Sequence, residues 1–229
     1  MTEGRVTHPR IEARPRAGHR LWWGKAWQRA VEEASFAEAD LRAAMRLARG
    51  GMVGGITVGA GSVLAAVREG DDAWTVTAEV PVLDDAALGA LVEVVAAQSR
   101  RLADLAAGDL PHQLVEDAEE AGVELLPYGG ELATTCTCGA PLDPCRHGLA
   151  VLVQVGWLQA ADPFVLLALR GAARDELTRR VGELSAPAPG PTGSAGASPA
   201  SDDEPDALDV ATDAALRASR LLADLGIDP

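Results

Sequence analysis

Aromatic side chains make up only 3% of this 229-residue chain, so its core has to rest on Ala, Val and Leu. Long hydrophobic runs are also missing. The longest uncharged apolar stretch, residues 148–161, contains Gln154 and Gln159 and falls short of the roughly 20 residues a bilayer-spanning helix needs. The opening Met1-Thr-Glu-Gly-Arg5 has no apolar segment behind its basic residues, which argues against a secretory leader. The glycines at 50, 51, 54, 55, 59 and 61 lead into strand-like sequence with no Lys-Ser/Thr after them. That spacing excludes a phosphate-binding loop. His112 has Glu116, Asp117, Glu119 and Glu120 nearby, but no serine, cysteine or second histidine beside them, so the segment reads as a solvated acidic face and not as a hydrolase site.

Hydrophobic residues make up 48% of the chain and the mean hydropathy is +0.05, as in a water-soluble globular protein with room for one ordinary domain and appendages. The net charge of −14 opposes simple coating of nucleic acid, which phosphate neutralisation drives. The charge is uneven. Residues 1–29 carry seven basic side chains against Glu3 and Glu12, a local balance of +5, which leaves −19 for the other 200. This reads as a basic arm on an acidic body.

Cysteine is scarce, and its placement is the most informative feature. All three cysteines fall in the twelve residues Cys136-Thr-Cys138-Gly-Ala-Pro-Leu-Asp-Pro-Cys145-Arg-His147, which end on one of only four histidines. Thiolate and imidazole are the donors a tetrahedral zinc site prefers. Residues i and i+2 of an extended chain point the same way, so Cys136 and Cys138 can face one ion from a strand end. Cys145 and His147 can join them if Cys145 precedes a helix and His147 lies in its first turn. Pro144 before the pair and the apolar run Gly148–Leu158 after it suit that start. Gly139, Pro141 and Pro144 keep the six-residue connection irregular. A helix N-terminus favours thiolate over thiol and disfavours imidazolium. A disulfide within Cys-x-Cys would be strained, and three cysteines leave an odd thiol. Four donors close the coordination shell, so the expected Zn2+ is single and structural, held by Cys136, Cys138, Cys145 and His147. Reduced, metal-competent cysteines fit a cytoplasmic protein.

The pattern Cys-x-Cys, six residues, Cys-x-His resembles the SWIM-type zinc finger of bacterial proteins. Glu131–Cys136 resembles the strand leading into its ligands, Asp162–Gly171 the segment that follows its zinc helix, and Trp22–Trp27 its opening helix. The likeness runs from about Leu21 to Val181. The loop Gly139-Ala-Pro-Leu142 departs from it by lacking a Pro-Asp-aromatic start. The resemblance implies an interaction module for protein and DNA, with bacterial examples linked to Swi/Snf-type helicase-like ATPases.

The expected fold is α+β: a small antiparallel β-meander with packed helices beside a zinc-binding strand–loop–helix of SWIM type. Residues 1–18 are expected as a disordered basic arm and 19–122 as an α+β domain. Its three strands are 52–58, 62–68 and 73–80. Trp23 and Trp27 are expected to anchor the first helix on the core, the alternative being a nucleic-acid face in which Trp22, Trp23 and Trp27 interleave with Arg20, Lys25 and Arg29. Residues 123–184 hold the finger and its following helices, 185–203 a Pro/Gly/Ala/Ser linker, and 204–229 an amphipathic helix suited to docking in cis or in trans. Arg146, Arg170, Arg174, Arg179 and Arg180 are candidate contacts for nucleic acid or a partner. For the last four, pairing with Asp175, Glu176 and Glu183 is the favoured alternative. The expected function is a non-enzymatic zinc-stabilised module for a protein partner, with DNA as a further ligand and no membrane or small-molecule substrate. The alternative is a zinc-thiolate redox sensor or an enzyme using the metal.

Overall fold

The computed structural model describes residues 4–14 and 21–185. Most of the expected linker 185–203 and all of the C-terminal helix 204–229 lie outside them, as do residues 1–3 and 15–20 of the arm. The fold is α+β, with eight α-helices and one five-stranded antiparallel sheet among the described residues.

The expected meander is the centre of that sheet. Strands β2 (Val53–Gly59), β3 (Ser62–Glu69) and β4 (Asp72–Glu79) alternate inward and outward residues, the period of a sheet with one buried face. Val53, Ile56, Val58, Val63, Ala65, Val67, Val76 and Ala78 supply that face. The register slips between Val53 and Ile56, where Gly54 and Gly55 remove the side chains a bulge would crowd. Two further strands flank the meander. β1 (Val6–His8) pairs with β2, and β5 (Ala133–Cys136) pairs with β4.

β1 corrects the expectation of a disordered arm over 1–18. Thr7 and Thr57 hydroxyls meet across the β1–β2 pair at 2.9 Å. Beyond the strand, Arg10 Nε donates to the Gly51 carbonyl at 2.8 Å and the Arg14 amide donates to the Arg49 carbonyl. Part of the basic arm is therefore a sheet edge, held by backbone hydrogen bonds that its charged composition does not reveal.

Helices α1 (Trp22–Ala34) and α2 (Glu38–Arg49) precede the meander. Then come α3 (Asp85–Ala96), α4 (Ser99–Ala106) and α5 (His112–Glu120). Asp84 caps α3 by accepting from the Ala87 amide, which satisfies one of the donors every helix start leaves open. A 3-10 turn at Gly129–Glu131 leads into β5. Helices α6 (Arg146–Ala161), α7 (Pro163–Leu169) and α8 (Arg174–Ser185) close the described chain. At the α6–α7 joint Asp162 accepts from the Phe164 amide and Pro163 occupies the first turn, where its missing N–H is no loss.

α6 is the centre of the core. Every residue from His147 to Trp157 is buried, because the sheet, α1, α2 and α7 surround it. A helix apolar all round has to be enclosed. Trp27 Nε1 donates to the Leu152 carbonyl and Trp23 Nε1 to the Gln159 carbonyl, so both indoles anchor α1 on α6. This overturns the division at 122/123. The described residues form one compact unit, with the finger segment supplying the central helix and an edge strand to the same core.

Candidate metal centre

β5 delivers the first donor. Its last rung pairs Cys136 with Val76 of β4. One step on, Thr137 exchanges hydrogen bonds with Thr75, its amide donating to the Thr75 carbonyl and its hydroxyl accepting from the Thr75 amide. These bonds set the direction of the Cys-x-Cys turn. Gly139 then reverses the chain at φ +66°, a backbone region that costs a side-chain-bearing residue about 1 kcal/mol or more. Thr134 Oγ1 reaches Asp143 Oδ1 at 3.4 Å and ties the loop to the strand. Cys145 is the residue before α6, and His147 lies in its first turn. Gly148 lets α6 start against β5, since a Cβ there would collide with the Thr134 side chain.

All four candidate donors converge as the spacing predicts. Cys136 Sγ lies 3.7 Å from His147 Nδ1, Cys138 Sγ 3.6 Å from Cys145 Sγ, and Cys145 Sγ 4.0 Å from His147 Nδ1. Every donor atom is within 4.8 Å of the others. Cys145 and His147 are buried, and Cys136 and Cys138 are half-buried. The group can hold one metal ion. Burial pushes the Cys136 thiol up to about 12, the neighbouring sulfurs adding to the shift. Cys145 is also raised, chiefly by burial, while the backbone N–H groups of Gly148 and His147 pull the other way. A cation placed among these sulfurs would favour their thiolate forms.

The sequence reading named Arg146 beside the donors but missed Glu69, Asp40 and Trp74 around them. Glu69, the last residue of β3, places Oε2 2.9 Å from His147 Nε2. Arg146 lies between two carboxylates, with Nη1 3.5 Å from Glu69 Oε1 and Nε 3.8 Å from Asp40 Oδ1. The Trp74 ring lies 6.0 Å from the His147 ring. These residues, with Leu142 and Pro141, line a cleft of about 360 Å3 that reaches Cys138 and Cys145. Glu69 is 78 residues from His147 in sequence. Its only local signal is the tight turn Glu69-Gly-Asp-Asp72, which reads as solvent-facing charge.

The arginine patch does not survive as drawn. Arg170 is buried, donating from Nη1 to the Pro81 carbonyl and from Nη2 to the Glu124 carbonyl. Burial lowers its pKa, with Glu131 and Glu124 opposing the shift. Arg170 is thus a structural cross-link and cannot contact a partner. Arg179 pairs with Glu176 and Glu183, and Arg180 with Glu176, which bears out the favoured pairing for these two. Arg174 sits 4.0 Å over the Phe164 ring and pairs with Asp162. Arg146 remains at the site, committed to Glu69 and Asp40. His112 packs against Trp22 with the two rings tilted, and its Nδ1 lies 3.1 Å from Glu116 Oε1.

Comparison with known proteins adds one relative. The chain is 26% identical over 222 residues to an uncharacterized protein, Rv2102, of Mycobacterium tuberculosis, covering 95% of this chain and 76% of that protein. No protein-family model matches the chain. No solved structure matches it. No described helix is long and apolar enough to cross a membrane.

Proposed function

We propose that Cys136, Cys138, Cys145 and His147 hold one Zn2+ as a closed structural centre, and that the protein is a metal-stapled interaction module with no catalytic step of its own. The observation that carries this is the spacing of the donors. With Zn–S bonds of about 2.3 Å, the sulfurs of a tetrahedral site stand about 3.8 Å apart, and sulfur and nitrogen slightly closer. The sulfur–sulfur distance of 3.6 Å falls slightly under its edge, and the sulfur–nitrogen distances of 3.7 and 4.0 Å fall slightly over theirs. Three soft thiolates and an imidazole suit zinc over the oxygen-seeking Mg2+ and Ca2+, and four protein donors leave no position for a reacting water.

The ligand pattern and the buried helix behind it support assignment to the SWIM-like class, and with it a protein partner, a Swi/Snf-type ATPase being the candidate. The surface offered is the loop around the metal, where Leu142 is 54% exposed beside Arg146. α6 itself offers little surface, because that helix is enclosed. DNA contact loses its main support with Arg170 buried and Arg174, Arg179 and Arg180 paired. A redox reading keeps one supporting observation, the cleft that gives small oxidants access to Cys138; oxidation of the thiolates would release the ion.

Native mass spectrometry of the purified chain tests the centre, with one zinc per chain expected and none refuting it. Co-expression with a Swi/Snf-type ATPase, followed by gel filtration, tests the partner. A complex that forms with the native protein and is lost in Leu142→Asp supports it. Separate elution of the native pair rejects it.

A further inference from the structure

The geometry points to Glu69 as the residue that positions His147 for the metal, an inference that rests on the metal reading above. The imidazole has two nitrogens, and the fold gives them different neighbours. Nδ1 faces Cys136 Sγ at 3.7 Å and Cys145 Sγ at 4.0 Å, while Nε2 faces the Glu69 carboxylate at 2.9 Å. A carboxylate accepts and cannot donate. The proton therefore resides on Nε2, and the Nδ1 lone pair points at the sulfurs. The hydrogen bond fixes the tautomer and the ring rotation together, and the negative charge behind the ring strengthens Nδ1 as a donor.

Glu69 is itself held in place. Arg146, the residue before His147, approaches its second oxygen, and Asp40 from the first turn of α2 approaches Arg146 from the far side. The ligand ring is thus braced from β3, and through Arg146 from α2, while Trp74 of β4 flanks it. An exposed ion pair is worth little, since solvent competes for both partners. Here one partner is an imidazole only 4% exposed. Without Glu69 its Nε2–H has no acceptor among the described residues, and a buried unpaired donor is costly. Glu69 lies outside the group of four donors and would act on the metal through His147.

The test uses the full metal-loaded chain, with zinc affinity read by chelator competition. Glu69→Ala is expected to weaken zinc binding about 10- to 100-fold, the range for loss of a carboxylate behind a ligating histidine. Glu69→Gln retains an acceptor oxygen and should stay much closer to the native affinity. Asp71→Ala, in the same exposed turn, removes an equal charge and should leave the affinity within about twofold. A spectroscopic readout separates positioning from bulk structure. In the zinc-loaded native protein the His147 Nε2 proton should be slow to exchange by NMR, and it should be lost in Glu69→Ala. The inference is overturned if Glu69→Ala binds zinc within twofold of the native chain, or no worse than Asp71→Ala, or if the loaded native protein shows the proton on Nδ1. A native chain that takes up no zinc overturns the metal reading instead, so the two failures are distinct.

Discussion

Arg170 Nη1 donates to the carbonyl of Pro81 at 2.6 Å, joining two points 89 residues apart. Through Nη2 and the Glu124 carbonyl, the same guanidinium links the end of α7, the exit from β4 and the approach to β5. Three segments that share no regular pairing are held by one planar fork.

Arg170→Met, which keeps the length and loses the donors, therefore leaves two carbonyls short of a partner. The expected loss is about 2–4 kcal/mol of unfolding free energy, at the usual penalty for orphaned buried groups. Urea denaturation measures it. Zinc content should be unchanged.

Removal of the metal should loosen the centre before the core. Chelation is expected to lower the melting temperature, and the drop should reverse when zinc is restored in excess of its dissociation constant. Cys145→Ser should behave as the chelated native protein does and ignore added zinc. A Cys145→Ser variant that still carries one tightly held zinc would remove the ligand assignment. Acid should release the ion as well, because protons compete for thiolate and imidazole.

Trp27 tests the core around α6. Trp27→Phe keeps most of the ring volume but abandons the bond to the Leu152 carbonyl, for an expected cost of about 1–2 kcal/mol. Trp27→Ala also opens a cavity against α6 and should cost about 3–5 kcal/mol. Equal losses in the two variants would mean that the hydrogen bond, and not the packing, is the main contribution.

Hydrogen bonds from Arg179 and then Arg180 hold the Glu176 carboxyl down at about 2, below its ordinary 4.5. The sign is that of a depressed acid. Its contribution to stability is complete above pH 4.5 and disappears as the pH falls towards 2. Carboxyl NMR titration should find Glu176 protonating well below the other exposed glutamates. Salt should bring its midpoint back up, since the group is at the surface. An ordinary midpoint at low salt would dissolve the cluster.

The donor set was readable because its four members are neighbours in sequence, and because spacing alone decides which residues of a strand end and a helix start can meet. The meander was readable for a similar reason: alternation of Val, Ile and Ala against Thr, Arg and Glu is a local property. What escaped was long-range. Glu69 looks like any turn carboxylate until the fold carries His147 to it. Arg170 was grouped with its exposed neighbours because charge suggests solvent, yet two backbone carbonyls can satisfy a guanidinium inside. Val6-Thr-His8 is too short to stand out among arginines and prolines. The uninterrupted apolar run Leu149–Val153 did carry a signal for full enclosure, since it leaves α6 no polar face to show to water, and that argued against a separate finger domain.

The last rung of the β4–β5 ladder is also a candidate ligand in the proposed metal reading, Cys136 opposite Val76. Whatever keeps the ion in place therefore also keeps the sheet margin shut. If the proposed zinc is the ion held there, a chain stripped of it is free to peel β5 away and bare the unpaired amides and carbonyls of β4, a template for the strands of other molecules. Self-association would then be the first sign of zinc starvation, ahead of any melting of the helices behind the sheet.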